Sequence, residues 1–291
     1  MNNQQFSEWR LQMHEMPSSV CKPLVMGILN ITSDSFSDGG VYLEQHSAFS
    51  RAQEMIAEGV DIIDVGGEST KPGALPISLD EELSRVIPII EHIRKNSDIC
   101  ISIDTYKPAV MKAAVSAGAG FINDIKALRS DGALSTAMEL GVPVCLMHMQ
   151  GDPLSMQENP TYANDVVEEI NTFFIERIKA CEQAQIPRHR LILDPGFGFG
   201  KLVANNLLLV KKLSEFKRHQ LPLLLGASRK NTLGVVTNEP VQRRLAAGLA
   251  VSVFAALQGV SMIRTHDVAE TNQALKMVDA IMKAEQYEGV A

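Results

Sequence analysis

Polar side chains that could hold a flat heterocycle occur directly after apolar stretches of this sequence. Two carboxylates, an amide and an ammonium together offer the acceptors and donors needed to grip such a ring by its edge, as for a pterin or a purine. These four side chains are Asp104, Asn123, Asp194 and Lys230. Because they lie far apart in the chain, only the fold can bring them together.

A second group of side chains suits an anion. Lys71, Arg264 and His266 are cationic donors, and the amide oxygen of Asn30 could share a hard cation such as Mg²⁺ with phosphate oxygens. These residues also follow apolar stretches. Together they predict a subsite for a diphosphate.

Two nearby features have simpler interpretations. The glycine-rich run DPGFGFGK, residues 194–201, does not match a Walker loop, since no Ser or Thr follows the lysine. We interpret its glycines as letting a strand-to-helix turn pass close to a ligand. His148 lies between two methionines, and we interpret it as a packed, hydrogen-bonded side chain without a catalytic role.

The stretches that precede these residues are short and rich in aliphatic side chains, and each is followed by a helical pattern. They are LVMGILN, DIIDVGG, CISIDT, FINDI, PVCLMHM, RLILDPG, PLLLGAS and SMIRTHD. Strands that are apolar almost throughout suit a parallel sheet covered on both faces. Eight β-α units in about 270 residues predict an α/β protein with a single closed (β/α)8 TIM barrel. Since the loops that follow the strands of such a barrel share one rim, both groups should meet there.

Local signals predict where the barrel begins and how its helices are bounded. We expect a polar N-terminal extension over residues 1–20, either disordered or forming a cap, and the barrel over residues 21–291. Ser78 with Glu81 predicts a capping box, and Pro108 suits the first turn of a helix. Pro88 lies inside a helical pattern and predicts a kink or a break.

Composition argues against several classes of protein. The net charge is −7 and the basic residues form no stripe, so nucleic acid is not an expected partner. The four cysteines form no CxxC pair, which predicts reduced thiols in the cytoplasm. The sequence has no basic segment followed by an apolar one at its start and no apolar run of about 18 residues, so neither export nor a membrane anchor is expected.

Eight blocks of the sequence match one family in order along the chain. They are GILNITSDSFSDGG, DVGGESTKPGA, SIDTYK, INDI, LMHMQGDP, LDPGFGFGK, GASRK and IRTHDV. The chain thereby resembles the dihydropteroate synthases of the pterin-binding TIM-barrel family, from about residue 24 to the C-terminal helix. The resemblance implies condensation of a dihydropterin-methyl diphosphate with 4-aminobenzoate, dependent on Mg²⁺, to give dihydropteroate and diphosphate in folate biosynthesis. It also implies a homodimer.

The resemblance implies a role for each matching residue. The pterin pocket would contain Asp104, Asn123, Met147, Asp194, Phe199, Gly226 and Lys230. The diphosphate would contact Asn30, Thr70, Lys71, Arg264 and His266, with Asn30 as the metal ligand, and 4-aminobenzoate would contact Phe36, Pro72, Ser228 and Asn231. The catalytic residues would be Asp38, Lys71, Arg264 and His266. The first two loops would close over the site, and no strong general base is required, because an arylamine is neutral at pH 7 and can attack once it is held in line.

The sequence also departs from the family pattern. Ser33 stands where proline is usual, Lys71 replaces arginine, Asn231 replaces serine, and residues 126–128 read Lys-Ala-Leu where the family is glycine-rich. These changes concern the loops and the aminobenzoate side. One alternative is therefore a pterin-binding homologue with altered or absent activity toward the second substrate. The other is a folate-dependent methyltransferase, which would have no use for a diphosphate subsite.

Overall fold

The computed structural model describes residues 1–15, 22–31, 40–156, 158, 160–163 and 165–287. Ser33, Phe36 and Asp38, which the sequence places on the first loop of the site, lie outside the described residues. The predicted boundary at residue 20 also lies outside them and stays a prediction.

Eight strands and ten α-helices make up the described part of the chain. The strands are β1 (Leu24–Asn30), β2 (Ile62–Gly66), β3 (Cys100–Asp104), β4 (Phe121–Asp124), β5 (Val144–Met147), β6 (Leu191–Asp194), β7 (Leu224–Leu225) and β8 (Met262–Thr265). The helices are α1 (Asn3–Glu15), α2 (Gly40–Ala57), α3 (Leu79–Asn96), α4 (Pro108–Ser116), α5 (Ala133–Leu140), α6 (Val166–Gln183), α7 (Val203–Lys211), α8 (Asn231–Thr237), α9 (Leu245–Leu257) and α10 (Val268–Met282). Each predicted apolar stretch contains one strand.

The strands form one parallel sheet that closes on itself. Their order is β6-β5-β4-β3-β2-β1-β8-β7. An isolated parallel bridge between Leu193 and Leu223 joins β6 to the segment before β7 and completes the ring. The predicted (β/α)8 barrel is therefore confirmed.

Alternation along the strands explains why the site residues face the barrel axis. Side chains two positions apart on a strand point to the same face of a sheet. Met26, Ile62, Cys100 and Met262 belong to an apolar cluster that fills the N-terminal part of the barrel. Two residues further along the last three of these strands come Asp64, Ser102 and Arg264, which are polar. On these strands, the inner face thus changes from apolar to polar within two residues toward the C-terminal rim.

Helix α1 covers the N-terminal end of the barrel. Phe6 is fully buried, and its ring lies 5.7 Å from the ring of Trp9 and 5.2 Å from that of Phe121. The N–H of Cys100 donates a hydrogen bond of 2.7 Å to the carbonyl of Met1. The described part of the N-terminal extension therefore forms a cap against the apolar end of the barrel.

Of the three helix signals, that at Pro108 is confirmed, that at Ser78 is confirmed in part, and the break at Pro88 is not found. The Ser78 side chain accepts a hydrogen bond of 3.2 Å from the N–H of Glu81, but the Glu81 carboxylate pairs with Arg85, so only one half of the predicted capping box forms. Pro108 is the first residue of α4. Helix α3 continues through Pro88, so the predicted break does not occur. Its apolar face, which buries Val86 and Ile89 on either side of the proline, offsets the loss of one backbone hydrogen bond.

The remaining sequence expectations concern thiols and membranes. Cys100, Cys145 and Cys181 are buried free thiols, and Cys21 lies outside the described residues. Within the described ranges, no helix is both long enough and apolar enough to cross a membrane.

Candidate active site

A cavity of about 840 Å³ opens at the C-terminal rim of the barrel. It brings together most of the residues that the sequence assigned to the three ligand groups. Among those lining it are Asn30, Thr70, Lys71, Pro72, Phe199, Gly226, Ser228, Lys230, Asn231, Arg264 and His266. Asp104, Asn123, Met147 and Asp194 are buried at the ends of β3 to β6, on the same rim.

Arg264 joins the polar floor of this site. Its Nη2 atom lies 2.8 Å from Oδ2 of Asp104, and its Nε atom lies 2.6 Å from Oδ2 of Asp64. The amide of Asn123 donates a hydrogen bond of 3.1 Å to the same Asp64 oxygen. Arg264 therefore belongs as much to the heterocycle group as to the anion group to which the sequence assigned it.

The buried charged groups of the floor shift one another's pKa values. Burial raises the pKa of Asp104 to about 7, although the neighbouring Arg264 opposes this shift. Burial alone would lower the pKa of Arg264, but Asp64 and Asp104 raise it above its ordinary value. The guanidinium stays charged, and the Asp104 carboxyl can gain or lose a proton near neutral pH.

Asp64 is a candidate site residue that the sequence reasoning missed. Its side chain is fully buried in β2, and its Oδ1 atom has no hydrogen-bond partner among the described residues. One signal was available, because a carboxylate in the middle of the apolar run DIIDVGG requires a charged partner. The partner, Arg264, lies two hundred residues away in the chain.

The segment from residue 194 to 201 forms one wall of the site. Oδ1 of Asp194 accepts a hydrogen bond of 2.7 Å from the N–H of Gly196. Burial raises the pKa of Asp194, while the charge of Lys230 lowers it. A Cβ atom on Gly196 would lie 1.8 Å from the carbonyl oxygen of His148, and the φ angle of Gly196 is +69°. This glycine is therefore needed for a close approach to the backbone of the neighbouring loop.

Two lysines hold this wall in place. The ammonium of Lys230 donates to the carbonyl of Phe197 and lies 4.4 Å from the ring centroid of Phe199. Burial lowers the pKa of Lys230 to about 7. The buried Lys201 lies with its Nζ atom 2.9 Å from the carbonyl oxygen of Gly196 and 3.1 Å from that of Phe199. Lys201 was not predicted as a site residue, although it ends the glycine-rich run.

Two further neighbours complete the wall. Nζ of Lys201 also lies 2.9 Å from Nδ1 of His148. Burial holds the pKa of His148 well below its ordinary value, and the charge of Lys201 adds to this effect. A neutral, buried His148 agrees with its interpretation as a packed side chain. Met147 and Phe199 belong to a single apolar cluster beside these polar groups.

His266 differs from the sequence prediction in its charge. Burial lowers its pKa to about 3, and the neighbouring Arg229 and Arg264 contribute to the shift. Its Nδ1 atom lies 3.0 Å from Oγ of Ser228, which also accepts a hydrogen bond of 3.2 Å from the His266 backbone N–H. The lowered pKa favours a neutral imidazole where the sequence predicted a cationic donor, and the role of His266 toward an anion stays a prediction. The cause is that burial beside two arginines disfavours a third positive charge.

The anion side of the cavity is more open than the floor. Asn30, Lys71 and Pro72 are exposed, and Thr70 is half-buried. No group of three or more His, Cys, Asp or Glu side chains within the described ranges could form a metal site. A metal bound near Asn30 would take most of its ligands from a bound phosphate and from water.

Comparisons with known proteins agree with this geometry. The family model described as "Pterin binding enzyme" matches residues 26–266. A dihydropteroate synthase of Escherichia coli is 51% identical over 264 residues, which are 91% of this chain and 93% of that protein.

Solved structures resemble the fold closely. A Yersinia pestis dihydropteroate synthase in complex with a sulfonamide drug has a TM-score of 0.86 at 47% identity and covers 91% of this chain and 96% of its own. A Xanthomonas albilineans dihydropteroate synthase with 4-aminobenzoic acid has a TM-score of 0.85 at 45% identity and covers 90% and 94%. By its sequence and its barrel, this chain belongs to the family of pterin binding enzymes.

Proposed function

We propose that this protein condenses (7,8-dihydropterin-6-yl)methyl diphosphate with 4-aminobenzoate to give 7,8-dihydropteroate and diphosphate. The observation that carries the proposal is that one cavity joins a polar floor suited to a pterin to a row of anion-binding groups. Relatives at up to 51% identity that are dihydropteroate synthases support it. The activity is that of a transferase that forms a C–N bond in folate biosynthesis.

The pterin would lie on the buried floor, held by its edge. Asp194 and Asn123 offer an acceptor and a donor, and Asp104 lies beside them. Lys230 can donate to the ring from above Phe199, while Met147 and Gly226 leave an apolar, shallow surface for its face. A carboxylate that accepts from a ring N–H forms a charge-assisted hydrogen bond, which is stronger than a neutral one.

The diphosphate would point from the ring toward the open side of the cavity. His266, Thr70 and Lys71 are the donors on that side, and Arg264, which pairs with Asp104 on the floor, also lines the cavity. A bound diphosphate would raise the pKa of His266, since its negative charge offsets the nearby arginines. Asn30 would hold Mg²⁺ together with phosphate oxygens. The ion would neutralise charge on the departing diphosphate.

The chemistry requires little from the protein beyond position and charge. Breaking the C–O bond leaves positive charge on the exocyclic methylene, which the pterin ring delocalises, while the cationic residues stabilise the departing anion. The arylamine nitrogen then forms the C–N bond and loses a proton. Pro72, Ser228 and Asn231, with Phe36 and Asp38 from the first loop, would hold the aminobenzoate in line and exclude water.

The first test is the release of pyrophosphate by the purified protein from the dihydropterin-methyl diphosphate with Mg²⁺, with and without 4-aminobenzoate. Release that depends on 4-aminobenzoate and yields dihydropteroate is expected. Tight pterin binding without stimulation by the arylamine would instead identify a homologue with a changed second substrate. Methyl transfer from a tetrahydrofolate, with no use of the diphosphate, would identify a methyltransferase.

A homodimer is part of the proposal. Helices α7, α8 and α9 expose a continuous apolar surface, on which Leu207, Val236 and Phe254 are 48%, 57% and 42% exposed. A groove of about 380 Å³ on this surface is lined almost entirely by apolar side chains. A second copy of the chain would remove this apolar surface from water.

The dimer can be tested with one charged substitution on this surface. Phe254→Glu should give a monomer by light scattering at micromolar concentration, because the new carboxylate would be buried without a partner. Ile175→Glu is the matched control, since Ile175 is 59% exposed on α6 and is not among the residues that line this groove. Equal masses for both variants would contradict the proposed interface. A cytoplasmic location, expected from the reduced thiols, would be checked by cell fractionation.

A further inference from the structure

The loop after β2, residues 67–78, is tied down by the carboxylate of Glu68. Oε1 of Glu68 accepts a hydrogen bond of 2.8 Å from the hydroxyl of Tyr106. Its Oε2 atom accepts one of 2.6 Å from Nζ of Lys107 and one of 3.1 Å from the N–H of Ile77. Because Glu68 and Ile77 lie near the two ends of the loop, this one carboxylate closes the base of the loop. The loop carries Thr70, Lys71 and Pro72 to the cavity.

The base of the loop is also joined to helix α3. Nζ of Lys107 lies 2.5 Å from Oε2 of Glu82 and donates a hydrogen bond of 2.9 Å to the carbonyl of Ile77. The Glu82 side chain is 1% exposed, and Lys107 supplies the cation that pairs with this buried carboxylate. Lys107 is therefore a fixed part of the fold, and its replacement would test folding rather than loop position.

The tip of the loop is held by weaker and more exposed contacts. The N–H of Gly73 donates a hydrogen bond of 3.1 Å to the carbonyl of Pro153, in the loop after β5. Nζ of Lys126 lies 3.5 Å from Oδ1 of the adjacent Asp152 and 4.1 Å from the ring centroid of Tyr106. The contacts thus form a closed circuit of hydrogen bonds, an ion pair and a cation-π contact. It runs from the loop tip through the loops after β5 and β4 and returns, through Tyr106, to the loop base.

The circuit uses a segment in which the sequence departs from its family. The carboxylate of Asp124 accepts hydrogen bonds of 2.7 Å from the N–H of Lys126 and 2.8 Å from that of Leu128. Ala127 and Leu128 adopt φ angles of 52° and 57°, so the chain turns sharply there. The turn leaves the Lys126 side chain over the Tyr106 ring, and the Lys-Ala-Leu segment therefore has a structural use.

We propose that Tyr106 and Lys126 are positioning residues that hold the loop of residues 67–78 over the cavity. Tyr106 acts through Glu68 on the base of the loop, and Lys126 acts through Asp152 on its tip. Neither side chain is among those that line the cavity. The proposal rests on the proposed function, because the loop would present Lys71 to the diphosphate and Pro72 to 4-aminobenzoate.

The central experiment compares Lys126→Met with a matched control. Lys112→Met removes a lysine whose Nζ lies 2.7 Å from Glu139, with 50% of the Lys112 side chain exposed, on the outer helices. Lys126→Met should raise the KM for 4-aminobenzoate by about 3- to 5-fold, as expected for loss of a partly exposed cation-π contact and an ion pair. Lys126→Arg should restore the KM, and Lys112→Met should not change it.

Two further measurements separate loop position from pterin binding and from activity. The affinity for 6-hydroxymethylpterin, which lacks the diphosphate, should stay within about 2-fold in every variant by calorimetry, because the floor is untouched. Hydrogen exchange should be faster for peptides from residues 68–78 in Lys126→Met and in Tyr106→Phe, which removes only the hydroxyl that donates to Glu68. The Ile77 amide should respond most in Tyr106→Phe.

The outcomes distinguish the two proposals. If wild-type protein shows no release of pyrophosphate that depends on 4-aminobenzoate, the proposed function fails, while the exchange comparison still tests the loop. Equal KM values and equal exchange in Lys126→Met and Lys112→Met would overturn the positioning role. Loss of pterin affinity in Tyr106→Phe would also overturn it, since Tyr106 would then belong to the binding site itself.

Discussion

The two ends of the barrel are built by the same alternation of side chains and do opposite things. At the N-terminal end, inward residues such as Met26 and Phe121 pack against Phe6 of the capping helix. Two to four residues further along the strands, the inward residues include Arg264 and Asp104, which form an ion pair and are mostly buried. The first arrangement removes apolar surface from water, whereas the second keeps charged groups out of water, at a cost in stability.

In this fold, the residues that stabilise the barrel and those proposed to bind ligands lie at opposite ends of the strands. A site that binds an anion and a polar ring needs desolvated charges, and these charges disfavour folding unless they are paired. The apolar end can offset that cost because no ligand enters there. We therefore expect substitutions at the capped end to change stability alone, and substitutions at the rim to change ligand binding more than stability.

The largest effect is expected at the capped end. Phe6→Ala should lower the free energy of unfolding by about 3–5 kcal/mol, because it removes a fully buried ring that contacts Phe121. Urea denaturation would measure the loss, and the KM values for both substrates should stay unchanged. Ile175→Ala, at an exposed position of α6, should change stability by less than about 0.5 kcal/mol. A changed KM in folded Phe6→Ala would contradict the separation of the two ends.

The next largest effect is expected at the rim, where a substitution should change ligand binding rather than stability. Asp194→Asn should weaken binding of 6-hydroxymethylpterin by about 1.5–3 kcal/mol, because a ring donor loses its charged acceptor. Stability at pH 7 should not fall, since burial already disfavours the charged form of Asp194. Calorimetry would measure the pterin affinity, and urea denaturation would measure the stability. Unchanged pterin affinity would remove Asp194 from the site, and Glu139→Gln on an exposed helix is the control.

A smaller effect should appear in the pH dependence of stability. Asp104 has a pKa of about 7 in the folded protein and an ordinary value of 3.8, so the folded state binds its proton more tightly. The stability that this group contributes is therefore fully present below about pH 4 and is lost as pH rises through 7. Asp104→Asn should remove this contribution, so that the stability of wild type relative to the variant falls by about 1–2 kcal/mol between pH 5 and pH 7.5. A constant difference in urea midpoints would show that Asp104 ionises normally.

The smallest effect is expected where the rim is most exposed. Lys71→Arg keeps the charge and adds a planar fork that suits phosphate, so turnover should stay within about 2-fold of wild type or rise. Steady-state kinetics with varied dihydropterin-methyl diphosphate would measure it. A large loss of turnover would mean that the loop of residues 67–78 is shaped for lysine, which would sharpen the role of its anchoring contacts.

Much of the architecture followed from local features of the sequence. Apolar stretches such as LVMGILN and CISID became strands β1 and β3, and the polar residue at the end of each faces the cavity or its floor. Strand propensity, helix caps and the position of Pro108 depend on neighbouring residues, which the sequence shows directly. The sequence could not exclude a break at Pro88, because the buried face that keeps α3 continuous is a tertiary contact.

The site was harder to predict wherever the charge or position of a side chain depends on a partner that is distant in the chain. Asp64 was not among the predicted site residues, yet Nε of Arg264 lies 2.6 Å from its carboxylate. His266 looked cationic until its surroundings were known. Lys126 looked like a departure from a family pattern until it was found 4.1 Å from the ring of Tyr106.

The sequence by itself determined the eight-stranded barrel, the rim that carries the candidate site and the family of the chain. These follow from residue periodicity and from the order of short motifs, both of which are local properties. Only the tertiary structure decided which carboxylates share Arg264, which histidine stays neutral and which side chains hold the loop of residues 67–78. The physical reason is that electrostatic energies depend on distance and burial, and both are set by residues far apart in the chain.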